Sequence, residues 1–153
     1  MQETFFTSKE ASKITGCTLR QLQYWREKGV VVPVISDTGT GRSIYYSKTN
    51  LVELAAMVYW LSVGLSFDIA CETLKTLKEQ EPELFSSGTG KRFMLLSETQ
   101  ERSPLGVVKL SLELMEYDRK KAITSIDEGK PVIPVWLDVI FEQLQKKLTS
   151  YLN

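Results

Sequence analysis

The chain has 153 residues, 42% of them apolar and 25% charged, and its 19 basic and 19 acidic side chains leave no formal net charge. That length supports one domain or two small ones with a real core, and the composition is that of an ordinary soluble globular protein. There is no His, and the two cysteines, Cys17 and Cys71, stand far apart, which excludes the usual zinc spacings; no metal and no cofactor is expected.

The longest uncharged run, residues 54–67, is too short to span a bilayer. The start lacks the basic and apolar regions of a signal peptide, so a cytoplasmic location is the expectation. Zero net charge argues poorly for nucleic-acid binding unless the charge is unevenly spread. It is: residues 1–48 carry +3, residues 49–85 carry −4 and residues 86–153 carry +1.

In chain order, Thr7 followed by Glu10 is a capping box, which predicts a helix over 8–15 with Ala11 and Ile14 on one face and Gly16 ending it. Thr18 followed by Gln21 repeats the signal and opens a second helix to about residue 28, closed by Gly29. Its spacing places Leu19, Leu22 and Trp25 on one side and Arg20, Gln23, Tyr24 and Glu27 on the other. Residues 30–35 are β-branched around Pro33 and read as an extended edge. A turn cluster over 37–41 and a return over 43–46 complete a hairpin.

Ser47 caps a third helix over 48–63, with an expected inner face of Leu51, Leu54, Ala55, Val58, Leu61 and Ser62. Gly64 ends it, and Ser66 caps a fourth helix running to about residue 80. The Ser- and Gly-rich stretch that follows is the best linker candidate, so the expected division is a domain over 1–85, a linker over 86–92 and a second domain over 93–153.

In that second part, 93–97 and 107–115 read as strands, the latter alternating apolar and polar residues. Asp118 caps a short helix to about residue 128, and 130–134 is extended. Phe93, Tyr117, Trp136 and Phe141 could line a ligand pocket but are read as core of this small domain. In the last helix, Leu137, Phe141, Leu144, Leu148 and Tyr151 are spaced four, three, four and three, a heptad stripe that either faces the chain's own core or pairs two copies. The fold class is therefore mostly α with small β elements: four helices plus a hairpin wing, then a small α+β domain ending in an amphipathic helix.

The second helix carries the chemistry. A groove-reading helix presents long polar donors near its N-terminus while its opposite face anchors it. Arg20 can reach phosphate or a guanine edge, Gln21 and Gln23 can pair with adenine, and Tyr24 can meet phosphate or sugar. Thr18 at the helix start, with Arg26 and Lys28 nearer the DNA backbone, completes the candidate set from this helix. The GTG in the hairpin tip lacks the ending of a nucleotide-binding loop. No nucleophile, metal or paired-carboxylate motif is present, so an enzyme is not expected.

The segments EASKITGCTLRQLQYWREKGVVVP, GTGRSIYYS and NLVELAAMVYWLSVGLSF together resemble the DNA-binding domain of the MerR family of bacterial transcription regulators. The matching positions are Thr15, Gly16, Thr18, Arg20, Leu22, Tyr24, Trp25, Gly29, Tyr46, Ser47, Leu51, Gly64 and Ser66, and the likeness covers roughly residues 5–80. It implies a winged helix-turn-helix that binds double-stranded DNA as a homodimer on an inverted repeat, with RNA polymerase as a partner at a promoter. It also implies that Arg20 and Tyr24 contact DNA and that the wing reaches the flanking backbone.

Two positions depart from the family pattern. Gln23 stands where a second Arg is usual, and Ile44 stands where the wing often has Arg. Arg42, two residues earlier on the same strand face, is the expected substitute, with Thr40 and Tyr46 as further wing contacts. No resemblance covers residues 90–153, so dimerisation through the Leu137–Tyr151 stripe rests on the heptad alone. Two other readings stay open: an architectural DNA-bending protein, and an interaction adaptor that has lost DNA binding.

Overall fold

The computed structural model describes residues 4–36, 44–102 and 108–152, with backbone alone for 98–102 and 108–111. Its helices begin where the local capping chemistry starts them. In α1 (Ser8–Thr15) the Glu10 amide donates to Thr7 Oγ1 at 3.2 Å, and the Thr7 amide donates to Glu10 Oε1 at 3.0 Å. In α2 (Leu19–Glu27) the Gln21 amide and Thr18 Oγ1 are 3.0 Å apart, as are the Thr18 amide and Gln21 Oε1. Each box satisfies two amides that a helix start otherwise leaves open. Between the helices Gly16 sits at φ +81°, a left-handed turn that a residue with a Cβ rarely adopts.

A two-stranded ribbon follows, β1 (Ile35–Ser36) antiparallel to β2 (Ile44–Tyr45), with Ile35 opposite Tyr45. The expected hairpin tip, with Thr40 and Arg42, lies outside the described residues. Tyr46 extends the return strand as an antiparallel bridge to Phe6, the two exchanging backbone bonds of 2.7 and 2.9 Å. Next come α3 (Lys48–Ser62), capped by Ser47, then α4 (Phe67–Gln80), capped by Ser66, and a single-turn α5 (Glu83–Ser86).

The expected inner face of α3 needs correction. Buried residues lie all round it, including Val52, Glu53, Ala56, Met57 and Trp60, whereas Ala55, Val58 and Leu61 are half-buried and Ser62 is exposed. α3 touches α1, α4, α5 and α7, so it is the central rod of its unit and no single stripe describes it.

The chain divides into two compact units, and the division differs from the expected one. The first comprises Met1–Gly90 together with Leu137–Asn153; the second is Lys91–Trp136. The last helix, α7 (Leu137–Leu152), therefore belongs to the helix-turn-helix unit and not to a domain over 93–153. Its Leu137, Leu144 and Leu148 are buried against the chain's own α1, α3 and α5. Three of the five heptad positions are thus already covered inside one copy.

Nor is 86–92 a free linker along its whole length. A Cβ on Gly88 would lie 2.6 Å from the Phe141 ring, so the chain passes too close to α7 there for any larger residue. Gly90 passes similarly close to Leu84.

The second unit is a three-stranded antiparallel sheet in the order β4-β3-β5, with one helix on it. β3 (Phe93–Arg102) is longer than the expected 93–97 and shifts register between Ser97 and Gln100. β4 (Val108–Glu116) and β5 (Val132–Val135) pair on either side of it. α6 (Arg119–Asp127), capped by Asp118, places Ala122 over Met94 and Leu96, with Met115 and Val132 packed against them. Of the four aromatics expected to form this unit's core, Phe93 is buried. Tyr117 is exposed and stacks edge-on with Trp136 at 5.7 Å, and Phe141 belongs to the other unit.

Candidate nucleic-acid interface

The recognition surface starts from how α2 is anchored. Leu22 and Trp25 are each 2% exposed and hold one side of the helix in the core. Residues three apart advance 300° around an α-helix, so a second such step carries Leu19 well away from Trp25. Leu19 is accordingly 50% exposed, which corrects its expected place on the anchoring side.

Arg20 and Gln23 lie open to water on the outer side. Tyr24, 43% exposed, rests its ring against Phe67 at the start of α4, with centroids 5.5 Å apart, and the Lys28 ammonium sits 5.7 Å from the same ring. This sandwich limits the ring's freedom while leaving much of its surface to solvent. The Gln23 amide donates to Glu27 Oε1 at 3.2 Å, a helical i,i+4 bond that an adenine edge would have to displace.

Several expected contact residues have other work. Thr18 and Gln21 hold the α2 cap through their side-chain oxygens, so Gln21 has only its amide N–H groups free of that bond. Arg26 is half-buried and turned toward the Tyr46 hydroxyl, to which it is electrostatically coupled. Tyr46, expected as a wing contact, is fully buried, and it joins the return strand of the wing to Phe6. Burial raises the Tyr46 phenol above its ordinary value, and the Arg26 charge together with the Arg26 and Ser8 side chains beside its hydroxyl opposes the shift.

With that surface in view, the comparison with protein families is decisive. The model of the MerR HTH family regulatory proteins matches residues 6–77. The N-terminal half is a MerR-family domain. No curated protein matches the chain as a relative. The matched span runs from the Phe6 strand to Leu77 in α4, so it takes in the recognition helix, the wing and the α3–α4 pair. A MerR-type helix-turn-helix is the domain of a DNA-binding transcription regulator.

The MerR-type domain also depends on a residue that reading by motif passes over. Asn50 is buried near the start of α3, and its Oδ1 accepts from the Val34 amide at 3.1 Å and the Ser47 amide at 3.0 Å. Its Nδ2 donates to Val32 O at 3.1 Å and to Glu53 Oε1 at 3.0 Å. Asn50 thereby ties both ends of the wing to α3, and Glu53 is in turn held by Lys78 at 3.0 Å. The Ser47-x-x-Asn50 spacing is itself a capping box, which is the signal that finds it.

Cys17 is buried core, where desolvation pushes its thiol up to about 12; burial also raises Cys71, helped by the Asp68 charge. Neither is poised as a thiolate ligand or nucleophile. Among the described residues no group of three metal-ligating side chains comes together, and no helix is long and apolar enough to cross a membrane.

Proposed function

We propose that this regulator binds double-stranded DNA sequence-specifically, as two copies on an inverted repeat, with α2 in the major groove. One observation carries the reading: α2 is locked by Leu22 and Trp25 while its opposite side holds Arg20, Gln23, Tyr24 and Lys28 in water. Arg20, in the first turn, reads guanine bidentately or holds a phosphate. Leu19 at the same end meets a thymine methyl, the one contact an exposed leucine makes well in a major groove. Gln23 pairs with adenine on leaving Glu27, and Tyr24 and Lys28 meet the sugar-phosphate backbone.

Thr40 and Arg42 extend the contacts to the flanking backbone through the wing tip. Pairing of copies uses a surface other than the Leu137, Leu144 and Leu148 stripe. At a promoter the further partner is RNA polymerase. The reading requires no cofactor and no catalytic group.

Selection of genomic fragments by the purified protein at two salt concentrations tests it. The expected product is an inverted repeat with half-sites roughly 10 bp apart, or a multiple, bound more weakly at high salt. Head-to-tail repeats would favour an architectural protein instead. No enrichment even at low salt would overturn the reading in favour of an adaptor.

A further inference from the structure

A cavity of about 460 Å³ lies within the first unit, between the N-terminal segment, the start of α3 and the end of α7. Its size suits a small organic molecule. Phe5, Leu148 and Leu152 make its apolar walls, and two of them, Phe5 at 37% and Leu152 at 61%, remain exposed to water. Thr4, Ser47, Thr49, Gln145 and Thr149 also line it. Thr149 already donates to the Gln145 carbonyl at 3.0 Å.

The lining holds one charge, Lys48, and no Asp or Glu. The Lys48 ammonium stands 5.1 Å from the Phe141 ring centroid, and among the described residues no carboxylate comes within ion-pair distance of it. It is also the first residue of α3, where the helix macrodipole disfavours a cation and no acidic residue offsets it. A cavity with apolar walls set among hydroxyl and amide groups, and with half-buried Lys48 as the one charge among its described lining residues, is complementary to an amphiphile carrying one negative charge.

We propose that this cavity binds a small amphiphilic monocarboxylate, its carboxylate on Lys48 and its hydrocarbon along Phe5, Leu148 and Leu152. The site lies apart from the outer face of α2 and adjoins Ser47, where the wing strand returns.

The test is calorimetric and NMR titration of the full chain, without DNA, with sodium octanoate as probe and octanol and octylammonium as controls. Reading binding on the free protein separates its failure from any failure of DNA recognition. Octanoate is expected to bind saturably with one molecule per chain, octanol more weakly, and octylammonium not at all. Lys48→Gln should weaken octanoate roughly tenfold or more, as loss of a charge-assisted bond does, and Lys48→Arg should keep most of the affinity.

Leu152→Ser, at an exposed position that cannot threaten the fold, should weaken octanoate and octanol alike. Equal binding of octanoate and octylammonium, an unchanged affinity in Lys48→Gln, or no saturation below the micellar range would each overturn the proposal. So would a dimer that Leu152→Ser dissociates together with an absence of octanoate binding, since a second copy would then be the occupant.

Discussion

α2 and α7 look alike as patterns, each a helix with an apolar side and a polar side, yet they end in opposite situations. In α2 two large side chains suffice to hold the helix, and the remaining faces stand in water with Arg20, Gln23 and Tyr24 on them. In α7 the longer and more regular stripe is consumed inside the same copy, against α1, α3 and α5. The end of α7 even reaches the first helix through polar groups: Lys147 Nζ donates to Ile14 O at 3.1 Å, and the Tyr151 hydroxyl donates to Glu10 Oε2 at 3.1 Å. A periodic apolar stripe states that a helix has a partner, and only the packing states which one.

The comparison breaks most visibly in stability. Leu148→Ala should cost about 2–5 kcal/mol of unfolding free energy, because the cavity opens inside the first unit. That loss, followed by denaturant unfolding, should not depend on protein concentration; a concentration-dependent loss would return α7 to the role of an intermolecular seam. Next in size, Asn50→Ala should cost about 1–3 kcal/mol and speed amide exchange at Val34, whose N–H then loses its acceptor. Unchanged exchange at Val34 would mean that Asn50 does not hold the wing.

Arg20→Ala sharpens the other side of the comparison. The expected loss is about 1–3 kcal/mol in specific DNA affinity with the melting temperature unchanged. Equal weakening on every sequence would make Arg20 a phosphate contact, and a lowered melting temperature would mean that the outer face of α2 is structural after all.

Tyr46→Phe should act on stability and leave DNA binding alone. Removing a buried hydroxyl that stands beside the Arg26 and Ser8 side chains should cost about 0.5–1.5 kcal/mol of stability, with DNA affinity intact. A drop in DNA affinity would show that the hydroxyl reaches DNA.

The smallest effect concerns Glu10. Its carboxyl is held below the usual 4.5, first by the Thr7 backbone bond, and bonds from Tyr151 and the Thr7 side chain add to this against opposing desolvation. A group depressed in the folded state contributes stability that is complete above 4.5 and is lost as pH falls through the folded value. Glu10→Gln should therefore flatten the acid limb of the stability curve slightly; an unaltered limb would mean that the bonds Glu10 accepts from Thr7 and Tyr151 contribute nothing.

The sequence alone sufficed for whatever is local. Thr7 with Glu10, Thr18 with Gln21, and Ser47 and Ser66 each start a helix because a side-chain oxygen reaches an amide two or three residues on, a distance set by the chain itself. The order helix, turn, polar-aromatic helix and wing was legible for the same reason, and with it the MerR-type domain.

Tertiary packing decided what lies between elements distant along the chain. It buried Tyr46 and exposed Leu19, surrounded α3 on nearly every side, and returned α7 across some fifty residues to cover the first unit. Hydrophobic burial has no direction and no memory of sequence separation, so a stripe of leucines reads the same whether its partner is a helix of its own chain or of another.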